Sequence, residues 1–191
     1  TLKLVPAPAL VANAVVNPGF ESPAYGPGAW SYLSSDGVAG GWTMTPHVGN
    51  DGAGIARNGS PPASPWVNVA PEGLQVAFLQ GNASLTQTVA LAAGRYRVFF
   101  SAANRPGHGA LCVKMLVDGA TCQVWTNSVF ENNAVFKRLS ADTGALAAGP
   151  HTLVFAAWPT DGGDRTTTIY DVKIARTDGP LTGTLPPGTA L

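Results

Sequence analysis

Residues 73–104 read GLQVAFLQGNASLTQTVALAAGRYRVFFSAAN, and this stretch decides the fold class. Leu74 to Gln80 runs into a Gly81-Asn82 turn. Ser84 to Leu91 sets Leu85, Gln87, Val89 and Leu91 on one face, and Arg95 to Ala103 sets Tyr96, Val98, Phe100 and Ala102 on one face. A period of two is the signature of strands, because successive side chains of an extended chain point to opposite sides. The three runs are expected to form an antiparallel meander.

The same pattern extends outward. Leu111 to Val117 and Cys122 to Thr126 flank Asp118-Gly119, a dipeptide that favours the tight turn of a hairpin. His151 to Trp158 and Thr167 to Ala175 come later in the chain, the second with Tyr170, Val172 and Ile174 expected on the core side. Twenty-three glycines and sixteen prolines punctuate these runs, and no stretch carries a sustained helical period. Strand after strand without intervening helices excludes an α/β fold and predicts an all-β, two-sheet antiparallel β-sandwich of about eight to ten strands. The 191 residues divide into an N-terminal linker at 1–12, one module at 13–176 and a C-terminal tail at 177–191. Pro/Gly-rich ends of this kind join modules of larger proteins.

Only 12% of residues are charged, and eleven basic side chains balance eleven acidic ones. No basic footprint for nucleic acid is present, and no apolar run reaches the ~18–20 residues that membrane insertion requires. A surface poor in Lys and Glu and rich in Thr, Ser, Asn and Gly suits a secreted or cell-surface protein that meets neutral polymers. Cys112 and Cys122 suit an oxidising compartment, yet a two-residue turn would set Cys112 opposite Trp125 and Cys122 opposite Met115, on opposite faces. A disulfide then requires a bulge or wider loop.

A series of motifs resembles the galactose-binding-domain-like jelly rolls, which include xylan- and glucan-binding modules and plant cell-wall β-sandwich proteins. It comprises Asn17-Pro18-Gly19-Phe20-Glu21, Gly41-Trp42, residues 71–81, Leu85 to Val89, Gly94-Arg95-Tyr96, Asn104-Arg105, Val117-Asp118-Gly119, residues 149–153 and residues 170–174. The resemblance implies a sandwich whose first and last strands lie side by side. It also implies a structural Ca²⁺ held by Glu21 and Asp171, with backbone carbonyls near Asn17 and Gly40-Gly41 completing the ~6–8 oxygens that this ion takes. The other reading makes Glu21 a turn cap and Asp171 a solvated strand residue.

Sugars present apolar C–H faces and hydroxyl edges, so their sites combine exposed rings with planar donors. Trp42, in a strand after Gly40-Gly41, is expected in the core, whereas Trp30 and Tyr32 are expected in a Gly/Pro-rich loop. Arg97, Phe99, Ser101, Ala103 and Arg105 face away from the core and are expected to floor a groove ending in a glycine-rich loop. Asn104 and Arg105 are the candidate donors, with Trp66, Trp125 and Trp158 as candidate platforms and His108 exposed among glycines. Structural alternatives are an Arg105–Glu131 ion pair and tryptophans that cover the sandwich. His47, His108 and His151 lack zinc-ligand spacing.

The chain has no Gly-x-Ser-x-Gly elbow, no His-Glu-x-x-His, no Cys-x-x-Cys and no glycine-rich phosphate loop. A retaining glycosidase would have to draw on Asp51 or Asp164 with Glu131. The expectation is therefore a non-catalytic carbohydrate-binding module whose partner is a polysaccharide or glycan, with a structural or adhesive β-sandwich that binds protein as the rival.

Overall fold

A computed structural model of the chain describes residues 14–33, 38–49, 51–60, 69–105, 108, 111–126, 135–158 and 165–178. Among them lie twelve strands and no helix: β1 (Trp30–Tyr32), β2 (Val38–Ala39), β3 (Trp42–Met44), β4 (Gly52–Arg57), β5 (Gln75–Gln80), β6 (Ser84–Leu91), β7 (Gly94–Asn104), β8 (Cys112–Val117), β9 (Ala120–Trp125), β10 (Lys137–Leu146), β11 (Gly149–Trp158) and β12 (Thr166–Arg176). They form two six-stranded sheets, ordered β1-β4-β5-β12-β7-β10 and β2-β3-β6-β11-β8-β9. The paired strands are antiparallel, as in a jelly-roll sandwich. Just past β12, Thr177 N donates to Arg95 O at 2.8 Å and ties the chain back to β7.

The core fills the space between the sheets. On β11, His151, Leu153, Phe155 and Ala157 are buried while the residues between them turn outward. Phe155 meets Phe100 edge-on at 4.8 Å, and Trp42 is fully buried as expected. Each such side chain contributes roughly 1.5–3 kcal/mol of transfer free energy. Gln87 shares this face because its amide serves the backbone of Val16, accepting from Val16 N at 2.7 Å and donating to Val16 O at 2.9 Å.

The expected meander does not form. β5 and β7 belong to the first sheet and β6 to the second, so the three strands cross between sheets instead of pairing with one another. Period-two patterning fixes which face of a strand is apolar, but both sheets offer the same core to that face. Among the described residues, the opening segment does not pair with β12 as a strand. Residues 14–20 are bends and turns, and Val172 N of β12 donates to Pro18 O at 3.0 Å.

Two bulges correct the expected registers. Asp118 and Gly119 adopt φ of 50° and 80° and close the β8–β9 hairpin as expected. A register shift between Met115 and Leu116 then sets Val113 opposite Trp125 and Met115 opposite Gln123. Cys122 is the extra residue, and both cysteines are free thiols. In β12 the ladder with β7 shifts between Tyr170 and Lys173, around Asp171 at φ 52°. Val172 and Ile174 keep to the main core, but Tyr170 faces outward and packs in a second apolar cluster with Ala56, Ala70, Val76 and Phe78.

The hairpin turn carries an ion pair. His151 Nδ1 donates to Asp118 Oδ2 at 2.7 Å and Nε2 donates to Ala147 O at 2.9 Å, while Thr152 N donates to Asp118 Oδ1 at 2.8 Å. Both ring nitrogens face acceptors, which favours the doubly protonated imidazolium. The hydrogen bond with Asp118, then that with Ala147, raises the His151 pKa above its ordinary value, and the bonds from His151 and Thr152 lower that of Asp118.

Candidate functional site

Among the described residues, those singled out from sequence do not come together as one groove. Asn104 is buried, with Oδ1 accepting from Thr167 Oγ1 at 2.6 Å and Leu111 N at 3.4 Å, so it ties strands together beneath the surface. Trp125 is buried and sits edge-on against Phe100 at 4.9 Å, as part of the core. The β9 bulge turns it inward. Arg105 and His108 are half-buried in the loop after β7, with Arg105 N donating to Thr166 O at 2.9 Å. Trp158 is 51% exposed with Lys114 Nζ 5.4 Å from its ring centroid, but it lies on the outer face of the second sheet. Arg105 continues the first sheet, so the two belong to opposite sides of the sandwich. Ser101 and Ala103, expected to floor an open groove, are buried, Ser101 paired with Tyr170 and Arg138 and Ala103 paired with Thr168. Trp66 and Glu131 lie outside the described residues.

A different constellation forms on the outer face of the first sheet. Tyr32 pairs with Gly54, which pairs with Phe78, so two rings flank a glycine across three adjacent strands. A Cβ at Gly54 would stand 2.6 Å from Phe78 Cζ and 2.1 Å from Ser31 O, so glycine makes room for the ring to lie across β4. Gly52 does the same for Tyr32, whose Cδ1 lies 2.8 Å from where a Cβ would be. Tyr32 and Phe78 meet edge-on at 5.1 Å, Trp30 meets Tyr32 edge-on at 5.5 Å, and the His47 ring lies 4.1 Å from Tyr32. The Tyr32 phenol donates to Gln80 Oε1, fixing the amide beside the rings. Phe78 is buried, His47 is exposed and Trp30 is 39% exposed, so the cluster is anchored at one end and open at the other. Gln80 opens a row that passes through Thr166 to the backbone of Arg105.

Sequence reasoning misses this cluster: Trp30 and Tyr32, expected in a loop, form β1 and pair with β4. The signal that points to it is Gly52-Ala53-Gly54, since alternate glycines in a strand mark the close approach of another group.

The side chains expected to hold Ca²⁺ are engaged otherwise. Glu21 Oε1 accepts from Leu74 N at 2.8 Å and Gln75 N at 3.1 Å, capping the turn before β5. Asn17 pins the opening turn through its own amide, donating to Ser22 O at 2.7 Å and accepting from Ser22 N at 3.1 Å. Asp171 Oδ2 accepts from Arg138 Nη1 at 2.6 Å, and its Oδ1 lies 2.8 Å from Lys173 Nζ. Burial works to raise the Asp171 pKa, but the hydrogen bonds from Lys173 and Arg138 outweigh it and hold the carboxyl below its ordinary value. Tyr170 nearby is raised, by burial first and then by the charges of Glu21, Asp171 and Glu72. Among the described residues no group of three or more His, Cys, Asp or Glu side chains is arranged to hold a metal ion. Both expected carboxylates are thus already engaged by donors of the protein itself.

No family model and no curated protein matches this sequence. Solved structures do share its fold. A cyclase from Fischerella sp. TAU in complex with 4-(1H-indol-3-yl)butan-2-one is 18% identical with a TM-score of 0.62, over 86% of this chain and 97% of that one. A Stig cyclase, Fisc from the same source, in complex with (3Z)-3-(1-methyl-2-pyrrolidinylidene)-3H-indole, is 19% identical with a TM-score of 0.60, over 83% and 93%. TmCBM61 in complex with β-1,4-galactotriose is 17% identical with a TM-score of 0.57, over 87% and 100%. The chain is a two-sheet antiparallel jelly-roll β-sandwich, a fold it shares with TmCBM61 and with the Fischerella cyclases. Function therefore has to be argued from the site.

Proposed function

We propose that this chain is a non-catalytic carbohydrate-binding module of a larger secreted or cell-surface protein, and that it holds a neutral glycan on the outer face of the first sheet. The observation that carries this reading is the open cluster of Trp30, Tyr32 and His47 beside the Gln80 amide. Sugar C–H faces stack on such rings, and an amide offers both a donor and an acceptor to the hydroxyl edge. Arg105 stands two strand spacings from Gln80, roughly 10 Å, and supplies the second polar contact. The likeness in fold to TmCBM61 and the low charge of the chain support the same reading. Asp51, close after His47 in the chain, has its Oδ2 hydrogen-bonded by Asn82 at 3.1 Å, a structural use of that carboxylate.

Calorimetric titration with a panel of soluble neutral oligosaccharides, β-1,4-galactotriose among them, tests the reading. At least one is expected to bind, with affinity reduced about tenfold or more in Trp30→Ala, equivalent to at least about 1.4 kcal/mol. Binding that survives unchanged in both Trp30→Ala and Tyr32→Ala overturns the site. Binding of 4-(1H-indol-3-yl)butan-2-one with no glycan bound favours a small-molecule pocket of the cyclase kind, and capture of protein alone favours an adhesive module.

A further inference from the structure

We infer that Arg138 and Lys173 act as the resident cations of the Asp171 bulge, so that the closing strand is held without a metal ion. Asp171 has φ 52°, a left-handed conformation that non-glycine residues rarely adopt. The bulge resets the alternation of β12 and sends Val172 into the core, where its N–H reaches Pro18 O in the opening turn at 3.0 Å. One guanidinium nitrogen, Arg138 Nη1, spans Asp171 Oδ2 at 2.6 Å and Asp171 O at 3.2 Å. Lys173 Nζ takes the carboxylate at 2.8 Å from Oδ1 and 2.9 Å from Oδ2.

Arg138 lies on the edge strand β10 and Asp171 on β12, with β7 between them. The guanidinium therefore crosses β7, where the intervening residue is Ser101, and lies 5.8 Å from the Phe99 ring centroid. It clasps an edge strand to the centre of the sheet. A Ca²⁺ ion at this bulge would need at least one Asp171 oxygen and several more oxygens at ~2.3–2.6 Å, in the space two cationic groups already fill. Glu21 is turned to the Leu74 and Gln75 amides, and the charge on Asp171 is already balanced.

Thermal melting of the purified protein, in chelator and in millimolar Ca²⁺, tests this. The two midpoints are expected to agree within about 1 °C, and Arg138→Ala to lower the midpoint by about 2–4 °C in either buffer. Metal analysis of protein purified without chelator is expected to find calcium well below one ion per chain. A wild-type midpoint that rises by several degrees with Ca²⁺, or stoichiometric calcium, overturns the inference whatever the variant does. An Arg138→Ala protein as stable as wild type overturns it equally. If that variant does not fold, Arg138→Gln replaces it, with the same expected loss.

Discussion

The outer faces of the two sheets are built by the same alternation and end in different chemistry. On the second sheet, Val154 pairs with Leu116 and Thr86, and Thr152 with Thr88, giving an outer strip of short side chains with Trp158 set apart at one end. On the first sheet, Trp30, Tyr32, Phe78 and Tyr170 turn outward around glycines and alanines, and part of that face becomes a second apolar cluster. An outer face acquires a core-like anchor when small residues on one strand make room for rings from its neighbours. An exposed aromatic standing on such an anchor is held in place before a ligand arrives, which reduces the entropy lost on binding.

The sharpest way to break this comparison is truncation. Phe78→Ala should destabilise the domain by about 3–5 kcal/mol, because the fully buried ring leaves a cavity. Val154→Ala, at a half-buried position on the other outer face, should cost less than about 1 kcal/mol. Urea denaturation of the two variants checks the contrast, and equal losses would contradict it. Gly54→Ala comes next, at about 1–3 kcal/mol for overpacking against Phe78 and Ser31, with a displaced Trp30 fluorescence maximum as the ring cluster shifts.

The smallest expected effect is the pH dependence at the second sheet's hairpin. The His151 pKa is raised in the fold, so its contribution is complete below the unfolded value near ~6.5 and is lost as pH rises through the folded value. The Asp118 pKa is lowered, so its contribution is present above ~3.9 and is lost as pH falls through its folded value. Urea midpoints should therefore decline from about pH 6 to pH 8 in wild type, and His151→Gln should flatten that decline. An unchanged slope in the variant would show that the pair does not set the pH dependence.

Much of the fold is legible because its strands announce themselves locally. Ser84–Leu91 lies where its alternation puts it, and the Asp118-Gly119 hairpin is closed by two residues that tolerate positive φ. β4 is hard to read, since Gly-Ala-Gly-Ile-Ala-Arg has little of the β-branched and aromatic character that marks a strand. Its neighbours supply the rings instead, and that hides the aromatic cluster along with the strand. The bulges at Cys122 and Asp171 each insert one residue and invert the alternation beyond it, so Trp125 enters the core and Tyr170 leaves it. Sheet membership is set by long-range pairing, which alternation along one strand does not encode.

Which of the two tryptophans exposed among the described residues meets the ligand decides the site. Trp30 is part of the anchored cluster and Trp158 is not. Titration of one binding oligosaccharide into Trp30→Ala and Trp158→Ala, each first shown to be folded, compares them directly. A ligand seated on the first sheet predicts a loss of about tenfold or more for Trp30→Ala and less than about twofold for Trp158→Ala. The reverse order, with Trp158→Ala abolishing binding and Trp30→Ala leaving it intact, would contradict it.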